Sequence, residues 1–385
     1  MKRYTAWLTL ATALLLPCPS PACTFCGSNP QTTPTLRQSA AQAKIILYGT
    51  MVNAKPNGLG GGTTEMKIER RLRTDPLLGD TKSVVIQRYI PGDAKDPPKF
   101  LLFADIFNGK FDFYQGVPVK SATLVDYFKG ALDLDVKDRP ATLRYFYRYL
   151  DSSDEAVASD AYLEFAKATD AEVGQVAHQL DPTKLQKLIQ DPKTPVARIG
   201  LFSFLLGACG GSAEADVLRG MIEKPDARTA LALDGTLAGY IQLKPRDGWD
   251  LVVNILKDGK RSFPERNAAL GTVRFYHGWK GKEAEKEVVR GLGVLLDQGD
   301  IADMAIEDLR KWQLWTLTNE VLAQYGKKSH DAPLMRRAIV RYALTCAKER
   351  GSFAEQAGKF LGERRKAEPD LVKDVEESLQ FEKPK

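Results

Sequence analysis

Histidine is nearly missing from this 385-residue chain: His178, His277 and His330 are the three copies, far apart in sequence. A structural zinc site takes four ligands, and five cysteines with one CxxC beside three scattered histidines do not supply such a set. Haem attachment is excluded on the same stretch, because it needs CxxCH and Gly27 stands where the histidine belongs after Cys23-Thr24-Phe25-Cys26. Past the N-terminal segment no run of 18 apolar residues occurs, so no membrane span is expected. Charge of one sign is also scarce in excess: 55 Lys and Arg against 49 Asp and Glu leave +6, dispersed along the chain. Nucleic-acid binding needs a basic stripe, and no nucleic-acid partner is expected. What is present, 43% hydrophobic and 27% charged residues, is the composition of a folded protein, and the length fits two or three domains.

The start of the chain reads as an export signal over residues 1–22. Lys2-Arg3 form a charged n-region, Ala6 to Leu16 an apolar core, and Ser20-Pro21-Ala22 a small-residue cleavage site. Eleven apolar residues are too few to cross a bilayer as a helix. The expected location is therefore secreted or periplasmic, with Cys23 as the new N-terminus; lipid attachment at Cys18 or Cys23 is the alternative. In an oxidising compartment disulfides persist. Cys23 and Cys26 are accordingly the disulfide candidate, with a redox or ligand role as the other reading. Cys209 and Cys346 are expected to be two buried free thiols.

From Ala43 to Gly116, β-forming runs alternate with Gly and Pro turns. Five strands are predicted, at residues 43–52, 63–72, 83–90, 100–107 and 110–114, followed by a helix over 123–132. Asn108-Gly109 marks a hairpin turn. Five short strands and a terminal helix fit a small antiparallel β-barrel of the OB kind, occupying residues 23–135. The Gly58–Gly62 run is read as a hairpin loop, because the residues after it are strand-forming, where a phosphate loop would open a helix.

The Cys-Thr start at Cys23-Thr24, the second cysteine close behind, the AKIILYGTMV strand and the FLLFADIFNGKFDFY hairpin resemble the netrin-like domain of the metalloproteinase inhibitors known as TIMPs. The resemblance implies an OB-like barrel. Those inhibitors place an N-terminal cysteine amine and carbonyl on the protease zinc and bridge their N-terminal cysteines to partners inside the domain. Residues 27–135 here contain no cysteine, so the fold is carried over and the activity is not.

Residues 136–385 show internal repetition. Arg198-Ile199-Gly200-Leu201, Asn267-Ala268-Ala269-Leu270 and Arg336-Arg337-Ala338-Ile339 superimpose without gaps. Weaker copies start at Ser159, Arg228 and Asp303, giving one unit every 30 to 39 residues, the length of a helix pair. A small residue at each third position (Ala161, Gly200, Ala230, Ala269, Ala305, Ala338) would let a neighbouring helix approach closely. Leu201, Leu231, Leu270, Ile306 and Ile339 are expected to form a buried ridge. The predicted architecture is α+β and multidomain: the barrel, then an α-helical solenoid of HEAT or armadillo type. Nearly the full chain also resembles a group of secreted planctomycete-type proteins with a Cys-x-Phe-Cys start and segments like SDAYLEFAKA and RRAIVRYALTCAK; that resemblance implies architecture and no activity.

Residues able to do chemistry are sparse. Asp151, Asp154, Glu155, Asp160 and Glu164 form an acidic stretch in which Asp160 and Glu164 share a helix face, read as solvated or capping. Paired carboxylates do acid–base work only when burial splits their pKa values. His277, amid Phe275, Tyr276 and Trp279, is read as a packed or helix-end histidine, and no GxSxG motif accompanies it. Lys280-Gly281-Lys282 and Glu363-Arg364-Arg365-Lys366 are read as surface charge. The expectation is a non-enzymatic scaffold that presents a helical surface to a protein or peptide, with no catalytic residue, metal or cofactor. The alternative is an enzyme or protease inhibitor acting through Cys23 and Cys26.

Overall fold

The computed structural model describes residues 33–58, 61–93 and 95–382. The export signal, Cys23 and Cys26 lie outside the described residues. The chain opens with α1 (Leu36–Gln42), which sequence reading missed. Its signal is short but complete: the Thr35 hydroxyl accepts the Gln38 N–H while the Gln38 side chain accepts the Thr35 N–H, a capping box.

Five antiparallel strands follow, β1 (Ile45–Pro56), β2 (Gly62–Arg73), β3 (Ser83–Ile86), β4 (Lys99–Phe107) and β5 (Lys110–Val119), in the order β3-β2-β1-β4-β5. The run Ile45-Ile46-Leu47-Tyr48 is apolar at consecutive positions because the central strand is covered on both faces. Ile45 and Leu47 pack with Met66, Ile86 and Leu102. Ile46 and Tyr48 join Leu101 and Phe103 in a core that continues through the helices. Asn108 and Gly109 both take positive φ, 49° and 70°, as a two-residue turn with the right-handed twist of its strands requires. β1 and β2 pair up to Pro56 and Gly62, so the glycine-rich run joins two antiparallel strands.

The sheet is open where a closed barrel was expected: β3 and β5 are its edges. Past Ile86 the backbone is held to β2 by a side chain in place of strand pairing. The Thr64 hydroxyl donates to the Arg88 carbonyl at 2.8 Å and accepts the Ile90 N–H at 2.9 Å.

Sixteen helices come after the sheet among the described residues. The first nine are α2 (Ala122–Leu132), α3 (Arg139–Tyr147), α4 (Glu155–Ala166), α5 (Asp170–Val176), α6 (Pro182–Gln190), α7 (Val196–Cys209), α8 (Ser212–Glu223), α9 (Leu233–Leu243) and α10 (Pro245–Lys257). Then come α11 (Phe263–Lys280), α12 (Glu285–Leu295), α13 (Ala302–Lys311), α14 (Thr318–Leu322), α15 (Pro333–Cys346), α16 (Ser352–Ala367) and α17 (Pro369–Gln380).

Polar contacts fix how these helices run. Thr272 donates to the Asp234 carbonyl and Tyr276 to the Ala238 carbonyl, both 38 residues back, so α9 and α11 lie parallel. Arg266 reaches Asp300 and Arg274 reaches Asp308, each 34 residues on, which aligns α11 with α13 in the same sense. Arg337 with Asp374 and Arg341 with Ser378, each 37 residues on, do so for α15 and α17. An unchanging offset over successive turns is possible only for parallel helices.

Small residues permit the closest approaches. A Cβ on Gly235 would lie 2.3 Å from the Gly200 carbonyl oxygen, and one on Gly239 2.2 Å from that of Ser203. The weak copy placed at Arg228 is therefore out of register. Ala230 and Leu231 are exposed in a 3-10 turn before α9, and Gly235 is the small residue that meets Gly200. Leu231 is 76% exposed, so it leaves the predicted ridge, while Leu201, Leu270, Ile306 and Ile339 are buried in it. Local pattern matching misled because ARTALAL reads as helix, whereas Arg228 donates to the Asp191 and Thr194 carbonyls and holds the segment as a connector.

Candidate functional site

Asp160 and Glu164 lie one turn apart on α4 and are both buried, which corrects the reading of a solvated pair. Asp160 accepts the Leu36 N–H at the first turn of α1 and the Tyr127 hydroxyl of α2, each at 2.7 Å. Arg37 lies 3.9 Å from Glu164. Burial pushes the Asp160 carboxyl up to about 6, with Glu164 adding to the rise and the hydrogen bonds from Tyr127 and Leu36 opposing it. The same enclosure raises the Tyr127 phenol, and Asp160 adds to that. Asp160 is thus the pin that fastens α1 and α2 to α4. The other members of the stretch behave as expected: Asp154 caps α4, Asp151 pairs with Lys184 at 2.5 Å, and Glu155 pairs with Arg198.

His277 stands in the last turn of α11 and stacks on Trp312, ring centroids 3.7 Å apart and planes within 10°. Burial lowers its pKa, and Glu285 opposes the shift. Cys209 and Cys346 are free; Cys346 is buried, whereas Cys209 is only half-buried in the last turn of α7, and burial pushes its thiol up to about 12. Among the described residues no group of three His, Cys, Asp or Glu side chains is placed to hold a metal ion, and no helix is long and apolar enough to cross a membrane.

Two features of the helices were not foreseen. The first is an apolar row at their entrances. Leu231 before α9, Phe263 at the start of α11 and Leu334 at the start of α15 are 76%, 45% and 66% exposed. The counterpart before α13, Ile301, is buried and interrupts the row.

The second is a cleft of about 480 Å³ at the opposite ends of α7, α9 and α11, where Ala208, Gln242 and Lys280 contribute to the lining. Trp249 and Tyr276 form its wall, ring centroids 5.2 Å apart, and Trp279 lies half-exposed 5.4 Å from Tyr276. The Lys280 ammonium sits 4.4 Å from the Trp279 ring centre, so this lysine, read as surface charge, has a defined place. Arg364 likewise covers Tyr325 and pairs with Glu368.

No known family model matches this chain, and no curated protein matches it. The site must be read from its own geometry. Apolar rings and an ammonium already seated on one of them make a surface suited to holding a ligand.

Proposed function

We propose that this chain is an exported, non-enzymatic binding scaffold whose helices form a HEAT-like stack and present one edge of it to a protein or peptide partner. The observation that carries the reading is the exposure of Leu231, Phe263 and Leu334 at the N-terminal ends of α9, α11 and α15. Single exposed apolar residues are ordinary on any surface, but three at the same ends of α9, α11 and α15 mark a contact surface. The offset that stays constant within each of the pairs α9–α11, α11–α13 and α15–α17 supports the stack, since it makes the paired helices parallel. On this reading the sheet is a barrel opened between β3 and β5 that covers the first helices through α1 and α2.

The test is capture of partners from the exported fraction with the wild-type chain and with the L231S/F263S/L334S variant. The partner recovered by the wild type should be lost with the variant while thermal stability is unchanged. Retention by that variant, together with loss in C23S/C26S, would overturn the scaffold reading in favour of a site at the N-terminal cysteines.

A further inference from the structure

We propose that the cleft at the C-terminal ends of α7, α9 and α11 is a receptor for an arginine side chain carried by a peptide. Three observations converge on a cation. Lys280 of this chain already holds its ammonium 4.4 Å from the centre of the Trp279 ring, and both residues line the cleft, so the indole accepts a positive group there. Glu283 and Glu287 line the same cleft; Glu287 is paired with Arg290 at 2.8 Å, which leaves the exposed Glu283 as the carboxylate for an incoming cation. The last turns of three parallel helices end there, at Cys209, Leu243 and Lys280, and helix C-termini carry partial negative charge. Of the opposing helix starts, α10 begins with Pro245, which has no N–H to offer an anion, and α12 carries Glu285 and Glu287 in its own first turn.

The cleft also has room for the stem of such a side chain. Ala177, Ala208 and Ile241 provide an apolar wall for the methylenes, which long cationic side chains bury while the head stays polar. A guanidinium stacks flat on an indole and meets a carboxylate with two parallel hydrogen bonds; an ammonium does neither. The incoming group therefore displaces Lys280 from Trp279 and turns its donors to the exposed Glu283.

That displacement makes the proposal testable by the sign of one effect. The full chain labelled with 5-fluorotryptophan is titrated with acetyl-Gly-Arg-Gly-amide and, separately, its citrulline and glutamate counterparts, with W279F assigning the Trp279 fluorine resonance. The arginine peptide should shift the Trp249 and Trp279 resonances saturably, and the neutral citrulline peptide should bind about 10-fold more weakly. K280A, which removes the competitor, should tighten arginine binding about 3-fold, and E283Q should weaken it by a similar factor. Both changes are on exposed side chains, so folding is not at stake. Equal binding of citrulline, weaker arginine binding in K280A, a response to the glutamate peptide instead, or no response to arginine in either chain at about 10 mM would overturn the proposal. The edge at Leu231, Phe263 and Leu334 plays no part here, so a failed titration leaves the scaffold reading to its own test.

Discussion

The sheet and the helices solve the burial problem in different ways. In the sheet, β1 is covered on both faces, and consecutive residues 45–48 enter two separate clusters. Among the helices, the pairs α9–α11, α11–α13 and α15–α17 are joined by side chains reaching 34 to 38 residues along the chain. Three of the four strand pairings join consecutive strands, and the fourth, β1 with β4, sets Ile45 opposite Ala104; the parallel helices are joined across 34 to 38 residues. The sheet and the helices share the core of Ile46, Tyr48, Leu101 and Phe103 with Leu124 and Phe128 of α2, and beside it the Asp160 carboxylate receives one bond from α1 and one from α2.

The largest effect that would break this contrast is expected in the buried ridge. Leu270→Ala should cost about 3 kcal/mol in denaturant unfolding, since the side chain is fully buried between α11 and its neighbours. A cost below about 1 kcal/mol would mean that α11 is not packed as described. Gly235→Ala should cost about 2 kcal/mol, because its methyl would meet the Gly200 backbone, which has no flexible end to give way. Tolerance of alanine there would remove the assigned register of α7 and α9.

The junction gives a pH signature. The folded pKa of Asp160, about 6, lies above its unfolded value, so the native state binds more protons across that interval. Its contribution is fully present below the unfolded pKa and is lost as pH rises through 6. Relative to Asp160→Asn, wild-type stability should therefore fall by on the order of 2 kcal/mol between pH 4 and pH 7. A flat difference, or one rising with pH, would contradict the buried carboxylate.

Thr35→Ala removes the hydroxyl half of the capping box and should cost about 1 kcal/mol, with faster amide exchange confined to α1. The smallest effect sharpens the comparison most: Leu231→Ser should change stability by less than about 0.5 kcal/mol, although its neighbours in the repeat alignment are core residues.

The strands were legible within a few residues because β-branched runs and an Asn-Gly turn act locally. The last strand was read five residues short, since Gln115, Gly116 and Pro118 look like a turn although they pair with β4 through Val119. Gly200, Ala269, Ala305 and Ala338 were legible as small residues on buried helix faces, Gly200 in close contact with Gly235. The copy at Arg228 was misplaced because a connector rich in alanine and leucine imitates a helix, and only the close contact of Gly235 with Gly200 reveals the true register. The aromatic cleft was out of reach: Ala208, Trp249 and Trp279 are brought together by the parallel alignment of helices, which no short window of sequence records. Asp160 was picked out for its spacing from Glu164, but its burial depends on α1, more than 100 residues earlier.

The central claim, a regular parallel stack with one open edge, is tested most directly by spin-label distances in the full chain with its other cysteines replaced. Labels at positions 231, 263 and 334 report one edge. With neighbouring layers at roughly 8–10 Å, the account predicts a 231–334 separation of about 25–30 Å and a 263–334 separation of about 16–20 Å, two layers apart. A 231–334 distance equal to or shorter than the 263–334 distance would mean that the helices do not progress along one axis, and the edge proposed for the partner would not exist.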